Sequence, residues 1–237
     1  MTIESEIYAE VQKLQLTEDR EEIIDRLIEC FRQFGAQAVV ITGIPMPHGM
    51  LDPLIIRAWS LTISRDRSAL GPVRSEDGLL QRCLVARKPF FWADERTDQD
   101  ETSSLASVLT QAGTSRKILA LPSVEPTAIQ GVVLLVGSDL PEDCMDLRAL
   151  HFLTGHLFRR LAELGALSNN RPGELSTRER RVLELTARGK TAADIADLLS
   201  ISQRTVHAHL QNASGKLDAS NKTQTVVEAI RYGQIVL

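Results

Sequence analysis

Apolar positions recur at helical spacing toward both ends of the chain and gather into short continuous runs between them. Residues 3–15 and 19–34 read as amphipathic helices; Ile23, Ile24, Leu27, Ile28 and Phe31 form the stripe of the second, with Thr17 available as its cap. AQAVVITGI then has the β-branched density of a strand and stops at Pro45 and Pro47, and IIRAWSLT predicts a second strand. SEDGLLQRCLVARK and SSLASVLTQAG return to helical spacing. KILALPSV and IQGVVLLVG read as two strands paired across a turn at Glu125 to Ala128. PEDCMDLRALHFLTGHLFRRLAELGAL predicts a long helix, opening with Pro141 at its first position and carrying Leu147, Leu150, Leu153, Leu157, Leu161 and Leu164. That helix packs on the sheet, and its leucines also suit a seam with a second copy. These elements predict helices flanking a mainly antiparallel sheet.

The polar run SNNRPGELS, residues 168–176, breaks the pattern and predicts a linker. The expected organisation is a first domain over 1–167, a linker over 168–174 and a second domain over 175–237. Four helices follow. ELSTRERRVLELTARGK starts with a capping box, Ser176 and Glu179, and ends at Gly189. TAADIADLLSI is short, with Thr191 as cap, and is expected to bury Ile195, Ala196, Leu198 and Leu199. SQRTVHAHLQNASGKL puts Val206, Leu210, Ala213 and Leu217 on one buried face, so Gln203, Arg204, His207, Ala208 and Gln211 point outward. A last helix from about Asn221, with Gln224 in its cap, carries Val226, Val227 and Ile230.

A short helix joined by a tight turn to a longer one with a polar, basic outer face is the helix-turn-helix arrangement, whose second helix enters the DNA major groove. Arg204 can donate two hydrogen bonds to a guanine edge, Gln203 and Gln211 can pair with adenine, and His207 can donate to a base or phosphate. Lys190, Thr191 and the amides of the capped helix starts suit phosphate oxygens. The competing reading is a small helical bundle with a solvated face. Charge bears on the choice: from Pro172 onward there are nine Lys and Arg against seven Asp and Glu, and upstream 18 against 24, so only the C-terminal part favours a polyanion.

Composition narrows the class. With 43% hydrophobic and 24% charged residues the chain has the profile of a folded globular protein rather than a disordered one. No run approaches the roughly 18 apolar residues of a membrane span, and the acidic N-terminus is unlike a secretion signal, so a cytoplasmic location without a membrane partner is expected. Cys30, Cys83 and Cys144 have no metal-ligand spacing and read as buried, reduced thiols. No Ser/His/Asp, metal or phosphate-loop constellation supports an enzyme. Catalytic and metal residues are therefore expected to be absent, and Asp94, Asp98, Asp100 and Glu101 read as a solvated acidic loop.

Residues 174–233 resemble the LuxR-type DNA-binding domain along their whole length. The matches are Leu175, Arg178, Glu179, Val182, Leu183, Gly189, Ile195, Ala196, Leu199, Ser202, Thr205, Val206, His209, Asn212, Lys216 and Leu217. The resemblance implies a DNA-reading helix from Ser202 to about Leu217. The expected DNA-contacting set is Lys190, Thr191, Ser202, Gln203, Arg204, Thr205, His207, Gln211 and Lys216, while His209 reads as wedged in the domain core.

The upstream part resembles, more weakly, the autoinducer-binding domain of the quorum-sensing LuxR branch, which implies an α/β/α sandwich enclosing an N-acyl homoserine lactone. The anchor is DGLLQRCLVARKPFFW, in which Asp77 and Trp92 stand fifteen residues apart. By this resemblance Asp77 accepts a hydrogen bond from the ligand amide, Trp92 lies at the lactone end, and Trp59, in WSLTISRDRS, joins them as a ligand residue. Asp77 equally suits a helix cap, and Trp92 equally suits plain core. Gly78 stands where the family has proline, and the two tyrosines, Tyr8 and Tyr232, lie far from this region. The expected partners are double-stranded DNA, a second copy of the chain and RNA polymerase, with a lactone as ligand and no cofactor; the alternative is an orphan regulator needing no lactone, or one with a different ligand.

Overall fold

The computed structural model describes residues 3–47, 49–51, 54–60, 70, 72–92, 103–112, 117–123, 131–164 and 174–235. The chain divides into two compact units, one of residues 1–45 and 50–169 and one of residues 46–49 and 170–237. Most of the expected linker, the turn at Glu125 to Ala128, the acidic loop and most of WSLTISRDRS lie outside the described residues.

In the first unit the elements run α1 (Ile3–Leu16), α2 (Arg20–Gln33), β1 (Ala38–Gly43), β2 (Ile55–Ser60), α3 (Gly78–Val85), β3 (Phe90–Trp92), α4 (Ser104–Ala112), β4 (Ile118–Ser123), β5 (Gly131–Val136) and α5 (Cys144–Glu163). The strands form one antiparallel sheet in the order β2-β1-β5-β4-β3. Every residue of β1, β4 and β5 is buried, which is why these strands read as unbroken apolar runs rather than as alternation. Val39, Ile41, Ile56, Leu119, Leu121, Val133 and Leu135 face α1, α2 and α5. The alternate positions Val40, Ile118, Ala120, Val132 and Leu134 are equally buried on the other face, where α3 and α4 pack against β4. The result is the expected α/β/α sandwich.

Several local expectations shift. The cap of α2 is Asp19, whose carboxylate accepts from the amides of Glu21 and Glu22; Thr17 instead turns its hydroxyl and amide back to the Lys13 carbonyl and closes α1. Asp143, not Pro141, starts α5, because its carboxylate accepts from the Met145 amide at 2.8 Å, a bond proline cannot offer. The strand β3 was not foreseen; it pairs Phe90, Phe91 and Trp92 with Ala120, Leu119 and Ile118. Cys144 is exposed, contrary to expectation, whereas Cys83 is buried and Cys30 half-buried. Burial, with Glu10 and Glu6 nearby, pushes the Cys30 thiol up to about 12, so it stays protonated and unreactive at neutral pH.

Gly131 opens β5 opposite Ser123, and a Cβ there would run into the ring of Phe158, which is fully buried on α5. Gly131→Ala is expected to cost about 1–3 kcal/mol through overpacking, read as a lower Tm in thermal unfolding. An unchanged Tm would mean that the Phe158 ring has room to give.

The second unit consists of α6 (Thr177–Ala187), α7 (Ala192–Leu199), α8 (Gln203–Lys216) and α9 (Lys222–Arg231). Val182, Leu185, Ile195, Ala196 and Val206 form its core, with Leu199, Ile201 and Leu210 packed against them. Two expected core positions fail: Leu198 is 60% exposed and Val227 53%, and Thr225, Ala229 and Tyr232 do the burying at the C-terminal end instead. Among the described residues no helix is long and apolar enough to cross a membrane.

Candidate nucleic-acid interface

The geometry of the interface begins with the caps. Ser176 and Glu179 form the predicted capping box on α6, and Gly189, at φ +78°, lets the chain reverse after it. Thr191 and Asp194 form a second box on α7, which ends at Ser200 in the left-handed region, φ 53°. Only Ser200, Ile201 and Ser202 separate α7 from α8, and Ser202 caps α8 by accepting from the Thr205 amide at 3.0 Å. These three residues set the tight turn of a helix-turn-helix.

Along α8, Val206, Ala213 and Leu217 are buried and Leu210 half-buried, while Gln203, Arg204, His207, Ala208 and Gln211 are exposed. Among the described residues the side chains of Gln203, Arg204, His207 and Gln211 form no hydrogen bond or ion pair. They are exposed, so an incoming base edge need not break a bond to any of the described residues. Arg204 offers a planar fork for guanine, and the two glutamines offer paired donor and acceptor for adenine. The exposed ammonium of Lys190 stands just before α7 and suits a phosphate.

The other expected contacts are tied up to different degrees. Thr191 gives both its amide and its hydroxyl proton to Asp194, at 2.9 and 2.7 Å. Those bonds, first the hydroxyl and then the amide, hold the Asp194 carboxyl below its ordinary range, so an anion already sits where a phosphate was expected. The Ser202 and Thr205 hydroxyls share one hydrogen bond of 2.8 Å, leaving a single hydroxyl proton between them for an outside acceptor. Lys216 is engaged within the domain. Its ammonium lies 2.8 Å from Glu179 and donates to the Glu174 carbonyl at 3.1 Å, fastening the end of α8 to the start of α6 rather than facing outward. His209, expected in the domain core, is half-buried.

Burial alone would raise the Glu179 carboxyl, but the Lys216 ammonium and the Ser176 amide and hydroxyl outweigh it and hold it below the ordinary range. The pair was invisible in the sequence, since its members lie 37 residues apart.

In the first unit the three expected ligand residues do not converge. Trp59 pairs with Val39 and packs in the core with α1, α2 and α5, its ring 5.0 Å from the Arg32 guanidinium carbon. Trp92 pairs with Ile118 on the opposite face, where Arg82 of α3 lies over Phe90 at 4.5 Å and over Trp92 at 5.9 Å. Asp77 is the cap of α3 and borders a groove of about 400 Å³ lined by Met50, Pro72, Arg74, Asp77 and Ser104. The sheet therefore separates Trp59 from the other two. Sequence reasoning also missed Ser103 and Ser104, whose hydroxyls donate to Asp77; a pair of serines opening a helix is the signal that could have marked them.

A three-residue turn between capped helices, with an unpartnered polar face on the second, defines a helix-turn-helix DNA-binding protein. Residues 173–229 match the model of the family described as bacterial regulatory proteins, luxR family. The spore germination protein GerE of Bacillus subtilis is 44% identical over 63 residues, which are 27% of this chain and 85% of GerE. The transcriptional activator protein BjaR1 of Bradyrhizobium diazoefficiens is 29% identical over 220 residues, covering 88% of this chain and 87% of that protein. The crystal structure of Escherichia coli SdiA superposes with a TM-score of 0.54 at 21% identity, over 98% of this chain and 99% of that one, a likeness of fold. The chain belongs to the luxR family; it is a DNA-binding transcription regulator and not an enzyme.

Proposed function

We propose that the protein is a cytoplasmic regulator that binds double-stranded DNA as a homodimer. In this reading α8 of each copy enters a major groove, and the first unit supplies dimer contacts and sensing. The observation that carries it is the row Gln203, Arg204, His207 and Gln211, exposed and without partners among the described residues. A two-fold pair of such helices reads inverted half-sites about one helical turn, roughly 10 base pairs, apart. Bound beside a promoter, such a dimer can touch RNA polymerase. The test is sedimentation of the full-length protein with duplexes carrying one or two half-sites. Two chains per two-site duplex and much weaker binding to one site are expected; one chain per duplex with equal affinities would refute the dimer.

An N-acyl homoserine lactone is the ligand that the resemblance implies for the first unit, and quorum sensing the role. A second reading, regulation without a lactone, is favoured by two specific observations: the far-side placement of Trp59 and the protein donors that already surround Asp77.

A further inference from the structure

A carboxylate offers about four lone-pair sites, and at Asp77 four donors of the protein meet them. Oδ1 accepts from the Leu79 amide at 3.1 Å and the Ser103 hydroxyl at 2.7 Å. Oδ2 accepts from the Ser104 hydroxyl and the Leu105 amide, each at 3.1 Å. Ser103 is itself the end of a relay, because its oxygen accepts from the Ala106 amide at 2.9 Å while its proton goes to Asp77. One buried carboxylate thus serves the first turns of both α3 and α4, where the helix dipoles favour negative charge. Arg82 adds a second closure by laying its guanidinium over Phe90 and Trp92.

We propose that Asp77, with Ser103 and Ser104, is an internal latch that takes the place of a ligand donor and docks the start of α4 on the start of α3. A ligand N–H has no open site on this carboxylate and gains only the difference between its own bond and the serine bond it displaces. The two hydroxyls therefore set how much, if anything, a lactone adds to folding. This inference rests on the second reading above, regulation without a lactone.

The test uses full-length wild type, Asp77→Asn and the double variant Ser103→Ala/Ser104→Ala, which keeps the carboxylate and its two amide donors should Asp77→Asn not fold. Each is unfolded thermally alone and with N-hexanoyl, N-octanoyl and N-dodecanoyl homoserine lactone. Both variants are expected to lose roughly 3 °C or more of Tm without lactone. Hydrogen exchange should quicken at the Leu105 and Ala106 amides but not in α2, and lactone should move the wild-type Tm by less than about 1 °C. Unchanged Tm and exchange in the variants would overturn the latch, as would a lactone-induced rise in the wild type that Asp77→Asn abolishes. DNA binding by wild type without lactone tests the underlying reading separately: its loss would sink lactone-independent regulation, while the variants' Tm still decides the latch.

Discussion

In Arg204→Ala, binding to the preferred DNA site is expected to weaken by about 1–3 kcal/mol, roughly 5- to 150-fold, with preference relaxed at one base position of each half-site. The thermal midpoint should not move, because Arg204 is exposed and its guanidinium bonds none of the described residues. Arg204→Lys separates shape from charge: lysine keeps the attraction to phosphate but cannot give two parallel bonds to guanine. It is expected to retain the salt dependence of binding while losing base preference. Electrophoretic mobility shifts over a series of single-base substitutions, at two salt concentrations, measure both quantities.

Glu179→Gln is expected to have the largest effect on stability, about 2–3 kcal/mol near neutral pH, since the change replaces a buried carboxylate by a neutral amide and leaves the half-buried Lys216 ammonium without its counter-charge. The pH dependence follows from the depressed carboxyl. A carboxylate with a lower pKa in the folded than in the unfolded chain stabilises the fold above its unfolded value, near 4.5, and loses that contribution as pH falls through the folded one. The stability gap between wild type and Glu179→Gln should therefore be full at pH 7 and close below pH 4.5. Denaturant unfolding across pH 3 to 7 reads this, and a gap independent of pH would mean that the charge on Glu179 contributes nothing.

Much of the fold was legible because burial writes itself into periodicity. The unbroken runs of β1, β4 and β5 betray a sheet covered on both faces, and the leucines of α5 mark its buried stripe. The strand β3 escaped because three residues at a sheet edge are too few for a period of two to show. The resemblance groups Trp59 with Asp77 and Trp92, but the face it occupies depends on strand register, which residue spacing along one strand does not carry; its pairing with Val39 reveals the side. The same holds for Lys216 and Asp77. A cation at a helix end and an acid before a helix are local features, and whether they meet Glu179 or Ser103 depends on elements far along the chain. By contrast, the exposure of Gln203, Arg204, His207 and Gln211 was legible because it follows from helical spacing alone once Val206, Leu210, Ala213 and Leu217 are taken as buried.

The most direct measurement of the central claim is selection of bound sites from random duplex DNA by full-length wild type and by Arg204→Ala. The expected result for wild type is enrichment of an inverted repeat with half-sites centred about 10 base pairs apart; for Arg204→Ala, it is the same spacing with one symmetric position relaxed. No enrichment, or an enriched site whose preferences survive substitution of Gln203, Arg204, His207 and Gln211 alike, would contradict the assignment of α8 as the DNA-reading helix.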